Sequence, residues 1–428
     1  MRQLLVLGAG TAGTVIANRM QRQLDPHQWQ VTVVDRDDEH HYQPGYLFVP
    51  FAMMTPHDVV RSRHAQLNDG IRFVTGEVDV VDHANDVVVL VDGTRLDYDQ
   101  LVIASGTTPR PDQTPGTTGS LWRDKVHEFY TLEGAIALRD ALEHFTHGRL
   151  VVHVTEMPIK CPVAPLEFTL LAEAMFRGRG QRDRVEIVYA TPLPGAFTKP
   201  VASERLGHLL EDRKILVETD YMVESIDNER QCLVSYDERE IPFDLLVTVP
   251  LNMGADFVAR SGLGDELNYV PVDRETLLAT GHDRIFAVGD ANDIPTSKAG
   301  SVAHYSSDVF VENFLDHVEG RPLTHRFDGH ANCFIESGDG KALLIDFNYD
   351  TEPLPGKFPV PYLGPMTLLE ETRANHAGKT AFSWVYWNLL LPGRLPMPTD
   401  MSMAGKHVPD LHDPTEPGTT FPEKEQLS

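Results

Sequence analysis

The stretch Gly8-Ala9-Gly10-Thr11-Ala12-Gly13 constrains the fold of this chain more than any other segment. It follows an apolar run over residues 3–8 that reads as a buried strand, and it opens a helical periodicity from Thr11 to about Leu24. The glycines have separate reasons to be there. Gly8 permits a tight turn, Gly10 lets backbone approach a pyrophosphate, and Gly13 lets the helix pack closely on the strand. The helix N-terminus then faces the anion with its partial positive charge. A second apolar run over residues 31–34 ends on Asp35, about 20 residues past the turn, where a carboxylate accepts hydrogen bonds from ribose hydroxyls. Strand, turn, helix, strand and acid agree. They predict a complete βαβ dinucleotide-binding unit, with Ala12 part of the cradle.

This unit alone does not choose between nicotinamide and flavin dinucleotides. The segment Ile285-Phe286-Ala287-Val288-Gly289-Asp290 does. A far-downstream strand ending in Gly-Asp suits a flavoprotein with two dinucleotide domains, where Gly289 and Asp290 hold the ribityl chain and pyrophosphate of FAD. Asp290 as a plain helix N-cap is the bland alternative. Ala104-Ser105-Gly106 closes another apolar run and fits the crossing between domains, so Ser105 and Gly106 join the cofactor set. Between these units, residues 72–103 read as a meander turning at Asp92-Gly93.

A second unit begins near Arg149. A strand is predicted over residues 150–154, a helix over about 164–176, and further strands over 185–189 and 245–249. An NADH-binding unit would carry its own glycine turn after Val154 and an acid after Tyr189. Here Thr155-Glu156-Met157-Pro158-Ile159-Lys160-Cys161 contains no glycine, and Ala190-Thr191 stand where the acid would be. Cys161 falls at the mouth of a helix beginning near Pro162. The helix dipole and Lys160 are expected to lower its thiol pKa. Glu167, about one and a half turns on, is placed to shuttle a proton. A buried structural cysteine is the competing reading. Cys333 lies in Gly329-His330-Ala331-Asn332-Cys333-Phe334-Ile335-Glu336; if it meets Cys161, the two sulfurs make a redox pair beside the flavin. Cys232 sits in an ordinary strand pattern and receives no role.

Composition removes other classes. Three cysteines, with no two at finger spacing, predict neither a disulfide framework nor a structural metal site. Lys+Arg 37 against Asp+Glu 63 leaves a net charge of -26, which excludes a nucleic-acid partner and opposes broad adhesion to anionic lipid. No apolar run reaches the roughly 18 residues of a spanning helix. The N-terminal run has no cleavage-site pattern, so no signal peptide is expected.

Taken together, LVLGAGTAG, VTVVDRDDEHHYQPGYLFVPF, PIKCPVAPLEF, IFAVGDANDIPTSKAGSVAH, GHANCFIE and WVYWNLLLPG resemble the sulfide:quinone oxidoreductases, within the pyridine nucleotide-disulfide oxidoreductase superfamily. The resemblance spans both βαβ halves and the C-terminal part. It implies FAD-dependent oxidation of sulfide to sulfane sulfur or polysulfide, with electrons passed to a membrane quinone. It implies that Cys161 and Cys333 form the active bridge, that Lys298 lies near the isoalloxazine and stabilises charge on the reduced ring, and that Pro44 lines the flavin. The third redox cysteine that some family members carry has no counterpart in Val126-His127-Glu128-Phe129-Tyr130.

The expected fold class is α/β, with two Rossmann-like dinucleotide-binding domains plus a C-terminal membrane-associating region. Residues 1–110 and 251–322 would form the FAD-binding domain and 111–250 the second Rossmann-like domain carrying the redox cysteine. Residues 323–406 would form a C-terminal hairpin and amphipathic quinone and membrane region, and 407–428 a mobile tail. Residues 382–391, flanked by Lys379 and Arg394, suit a helix lying in the bilayer interface, with Phe382 and Tyr362 as quinone-pocket candidates. A core helix is the rival for that segment. Such a protein would sit peripherally, as a monotopic protein, on the cytoplasmic membrane; a homo-oligomer stays open. Three other functions compete: a type II NADH:quinone oxidoreductase-like flavoenzyme, a flavin subunit partnered by a c-type cytochrome, and a flavin-binding sensor without turnover.

Overall fold

The computed structural model describes residues 1–395 and 400–407. Two parallel sheets of five strands organise it. In the first, the order is Ile285–Ala287, Gln100–Ile103, Arg2–Leu7, Trp29–Asp35, Arg72–Thr75. In the second it is Val126–His127, Leu245–Val249, Gly148–Val154, Val185–Ala190, Leu216–Glu218. Their central strands read as continuous apolar runs because both faces are covered: Leu4, Val6, Leu150, Val151 and Val152 are fully buried.

Each half inserts a three-stranded antiparallel sheet ahead of a strand of its parallel sheet: Val78–Asp82 with Val87–Leu90 and Arg95–Asp97 before Gln100–Ile103, and Val223–Asp227 with Cys232–Ser235 and Glu240–Pro242 before Leu245–Val249. The meander expected over 72–103 is therefore shorter. Its outer runs, Arg72–Thr75 and Gln100–Ile103, pair in parallel with the main sheet. Alternation of Val and Ile looks the same in both settings, so periodicity could not separate them.

The helices Thr11–Gln23 and Gly300–Val318 pack together on the first sheet, with Trp29 edge-on to Phe314 at 5.9 Å. Helix Ala164–Gly178 covers the second sheet and carries the hairpin Ala331–Gly338/Lys341–Phe347 on its outer side. At the hairpin turn, Gly338 has φ +83 and a Cβ there would stand 2.4 Å from the Ala174 Cβ, so only glycine brings strand and helix this close.

The C-terminal segment departs from expectation. The helix is Arg373–Val385, followed by a wider helical turn over Tyr386–Leu390. Tyr386, Trp387, Leu390 and Leu391 lie in the core, where their burial outweighs any gain from the bilayer. Lys379 points inward to Glu167 rather than flanking a lipid-facing helix. Among the described residues, no helix is long and apolar enough to cross a membrane. The tail expected over 407–428 lies, apart from His407, outside the described residues.

Candidate active site

The glycine turn is shaped by close approach. Gly8 has φ +103, and a Cβ there would stand 2.5 Å from the Ala104 carbonyl oxygen. At Gly13 it would stand 1.9 Å from the Gly8 carbonyl oxygen. Gly289, at φ +72, faces Ala12 with room for no larger contact, a built Cβ lying 3.0 Å from that of Ala12. Around Gly10 and Gly106 a Cβ would meet no described atom within 4 Å, so both open onto free space. The helix Thr11–Gln23 begins there with no side-chain cap and no acid in its first turn. The Ser105 hydroxyl is buried and, among the described residues, has no hydrogen-bond partner. An uncapped helix end, a bare backbone turn and an orphaned hydroxyl fit a dinucleotide pyrophosphate. Pro44, at the start of the short helix Gln43–Phe48, is exposed.

Asp35 stands at the end of its strand as expected, but it is not alone. Its Oδ2 accepts from the Ala9 N–H at 2.7 Å and pairs with Arg63 Nη1 at 2.9 Å, while that same nitrogen donates to the Ala9 carbonyl at 3.1 Å. His40 Nδ1 lies 2.9 Å from that carbonyl and its Nε2 lies 2.7 Å from the Tyr386 hydroxyl, which also meets Thr11 Oγ1 at 2.8 Å. Burial pushes the His40 imidazole down to about 3, so it serves as a neutral bridge. Arg63, His40 and Tyr386 escaped sequence reading. Their partners are distant in sequence, and only His40 lies near the acid that ends the strand, in VDRDDEHHY.

Asp290 is half-buried in the turn Gly289–Ala291, just past its strand. Burial raises its pKa, opposed by the ammonium groups of Lys298 and Lys160. Lys298 Nζ donates to the Asn292 carbonyl at 2.6 Å and sits 4.0 Å from the Tyr269 ring centroid. Its carbonyl accepts the Cys161 N–H at 2.6 Å, which ties the loop after Asp290 to the second sheet. Lys160 is pushed down to about 8 by burial, with Asp290, Glu128 and Cys161 opposing.

Cys161 occupies the first turn after the second sheet's central strand, where a glycine would hold a phosphate. Its φ is +50, the left-handed region, costing about 1–2 kcal/mol for a residue with a Cβ. The chain thus keeps a glycine-like turn and puts sulfur on it. The following helix begins at Ala164. The expected thiolate is overturned. Burial, then the Glu167 charge, push the Cys161 thiol up to about 12, outweighing any dipole effect. Cys333 is likewise raised, by burial first and then by charge on Cys161. The two sulfurs are close enough to feel each other, and both feel Glu167 and Lys379. Both are free thiols.

Under them lies a buried polar group. Glu167 forms an ion pair with Lys379 and accepts the Glu336 N–H at 2.7 Å. Lys379 Nζ also donates to the Phe334 carbonyl at 3.1 Å. Burial works against the lysine's charge, but Glu167 outweighs it and holds its pKa above the ordinary value. Burial raises Glu167, opposed by that lysine. Phe382 follows Lys379 by three residues, on the same helix face and partly buried against the core, whereas Tyr362 is 79 % exposed on the outer hairpin. Cys232 lies apart, buried in its own strand with Sγ 3.2 Å from the Leu233 carbonyl.

Comparison with known proteins agrees with this reading. The pyridine nucleotide-disulphide oxidoreductase family model matches residues 2–153. The chain is an FAD-dependent oxidoreductase. Mouse mitochondrial sulfide:quinone oxidoreductase is 24 % identical over 397 residues, covering 91 % of this chain and 86 % of the relative. The Schizosaccharomyces pombe protein of the same name is 26 % identical over 420 residues, covering 90 % and 89 %. The crystal structure of the sulfide:quinone oxidoreductase from Aquifex aeolicus superposes with a TM-score of 0.76 at 18 % identity, over 91 % of this chain and 92 % of that one. Over about nine-tenths of its length the chain is thus similar to proteins named sulfide:quinone oxidoreductase.

Proposed function

We propose that this protein oxidises hydrosulfide to sulfane sulfur at a Cys161–Cys333 pair and delivers the electrons to a membrane quinone. The observation that carries the reading is the convergence of two sulfurs from distant chain segments on the Glu167–Lys379 pair, beside the Asp290–Lys298 loop. Gly8, Gly10, Ala12, Gly13, Asp35, Pro44, Ser105, Gly106, Gly289 and Asp290 are the residues that would hold FAD. When bound, FAD supplies the two-electron carrier between sulfur and quinone.

The cysteines do the covalent work. Hydrosulfide attacks one sulfur of the oxidised pair; a bond forms to the substrate sulfur, the Cys161–Cys333 bond breaks, and the electron pair leaves on the other cysteine as thiolate. A thiol with so high a proton affinity leaves poorly as an anion, so a nearby cation is needed. Lys379 is that cation: its charge lowers both thiol pKa values. Glu167 accepts the proton of the attacking sulfur. Lys298 and Lys160 keep positive charge around Asp290, where Lys298 would balance charge on the reduced cofactor.

Membrane contact is assigned to the tip of the hairpin Gly356–Val360/Gly364–Leu368 and the neighbouring helix. Leu363 is 82 % exposed next to Tyr362 at the hairpin tip, and Trp384 is 61 % exposed near the end of helix Arg373–Val385; Lys357 on the hairpin and Arg373 at the helix start are also exposed. Apolar tips with basic flanks suit an interfacial anchor better than a quinone pocket, so Phe382 is the quinone candidate and Tyr362 belongs to the anchor. Replacing Leu363 and Trp384 together with Ser should release the protein from phospholipid vesicles and leave sulfide-driven flavin reduction unchanged; vesicle binding as strong as wild type would remove the anchor.

The NADH-oxidising alternative is disfavoured by the cysteine in the second cradle and by Ala190 and Thr191, both buried at the strand end. Anaerobic stopped-flow mixing tests the choice. Sulfide should bleach the flavin and NADH should not, and Cys161→Ser or Cys333→Ser should slow sulfide bleaching by roughly a thousandfold or more. Rapid bleaching by NADH alone would reverse the assignment.

A further inference from the structure

The buried group beneath the sulfurs continues outward. Glu336 lies on the strand of Cys333 and is buried, and His376 Nδ1 stands 2.9 and 3.0 Å from its two carboxylate oxygens. The His376 side chain is 29 % exposed, so this pair joins the buried carboxyls to solvent. Inward, the Glu336 backbone N–H binds Glu167 Oε1, and Lys379, one turn from His376 on the same helix, lies between the two carboxyls, ion-paired to one and electrostatically coupled to the other. The charged groups facing Glu336 are His376 and Lys379 from their helix and Glu167 from helix Ala164–Gly178; those facing Glu167 are Lys379, Glu336 and the two cysteines.

Oxidation of hydrosulfide to sulfane sulfur releases two electrons and one proton. The electrons have a carrier, whereas the proton is released beside the buried Glu167–Lys379 pair, with the Lys379 ammonium 5.3 Å from the Phe48 ring centroid. We infer that Glu336 and His376 form the outer half of a proton path whose inner half is Glu167, an inference that rests on the function proposed above. The proton of the substrate sulfur passes to Glu167 when the persulfide S–H ionises. Glu336 takes it on, and His376 passes it to water. Both acids stay buried with raised proton affinity, as groups that must hold a proton in transit require.

The test is anaerobic single-turnover reduction of the flavin by sulfide from pH 6 to 9, in wild type, His376→Ala and Glu336→Gln, with and without added imidazole. His376→Ala should retain its flavin and melting temperature, slow reduction by roughly a hundredfold at neutral pH, and recover in proportion to imidazole, because the lost group reaches solvent. Glu336→Gln should be slow and indifferent to imidazole, because its carboxyl is enclosed. A wild-type rate in His376→Ala, or a slow rate that imidazole leaves unchanged, overturns the path while wild-type bleaching still supports the function. A wild-type protein that sulfide does not bleach overturns both.

Discussion

The two parallel sheets are built alike and end in different first turns. In the first, the turn before helix Thr11–Gln23 is glycine throughout its close contacts, and the helix starts without a cap or an acid. In the second, the same place holds Cys161 in a left-handed conformation, and the helix Ala164–Gly178 carries Glu167 in its first turn. A bare helix end attracts a pyrophosphate. A helix end bearing its own buried carboxylate repels one and suits a sulfur whose proton must be moved. One architecture thus yields a cofactor cradle in one lobe and a redox site in the other, and the change needs only a few residues in each turn.

The contrast breaks most visibly at the glycines. Gly13→Ala would put a Cβ 1.9 Å from the Gly8 carbonyl oxygen, so the turn must open. The purified variant should be largely colourless, with its flavin content by absorbance down at least roughly tenfold, a loss of about 1.4 kcal/mol or more of binding. An Ala variant as yellow as wild type would mean that close packing is not what shapes the first cradle. In the second lobe the charged pair matters more than the turn. Lys379→Met strands Glu167 as an unpaired buried carboxylate and should cost about 3–5 kcal/mol of stability, read as a lower denaturant midpoint at neutral pH and partly recovered in the double variant with Glu167→Gln. A smaller effect sharpens the electrostatics of the sulfurs. Burial and then Glu167 raise the Cys161 pKa, so Glu167→Gln should lower it and increase thiolate below the thiol's pKa of about 12. Alkylation of the reduced protein at pH 8 to 9 should quicken by roughly threefold to tenfold, a shift of up to about one pH unit. Unchanged or slower alkylation would show that Glu167 does not face Cys161.

How much of this was legible in sequence follows from the range of the interactions. The glycine turn, Asp35, Gly289 and Asp290 announce themselves because their chemistry is local: a few residues define a turn, a helix end and an acid. Cys161 was found by the same logic, as an anomaly where glycine belongs. Its protonation was misjudged because a helix N-terminus is visible in sequence and burial is not. Lys379 was read as a flank of a membrane helix because its partner Glu167 is 212 positions away, and nothing in the local spacing distinguishes an inward lysine from an outward one. Tyr386 and Trp387 were misplaced for the same reason, since aromatic and leucine residues suit a lipid surface and a core equally well. Arg63 and His40, which brace Asp35 and the Ala9 carbonyl, are ordinary polar residues until the strand and the turn bring them together.

The central claim is that the cysteine in the second cradle works with the one on the C-terminal hairpin. Non-reducing peptide mapping by mass spectrometry of the air-oxidised, flavin-loaded protein tests it directly. The expected result is a Cys161 peptide joined to the Cys333 peptide, directly or through additional sulfur, with Cys232 free. Cys161 and Cys333 recovered as separate, unlinked thiols in protein that still oxidises sulfide would contradict it.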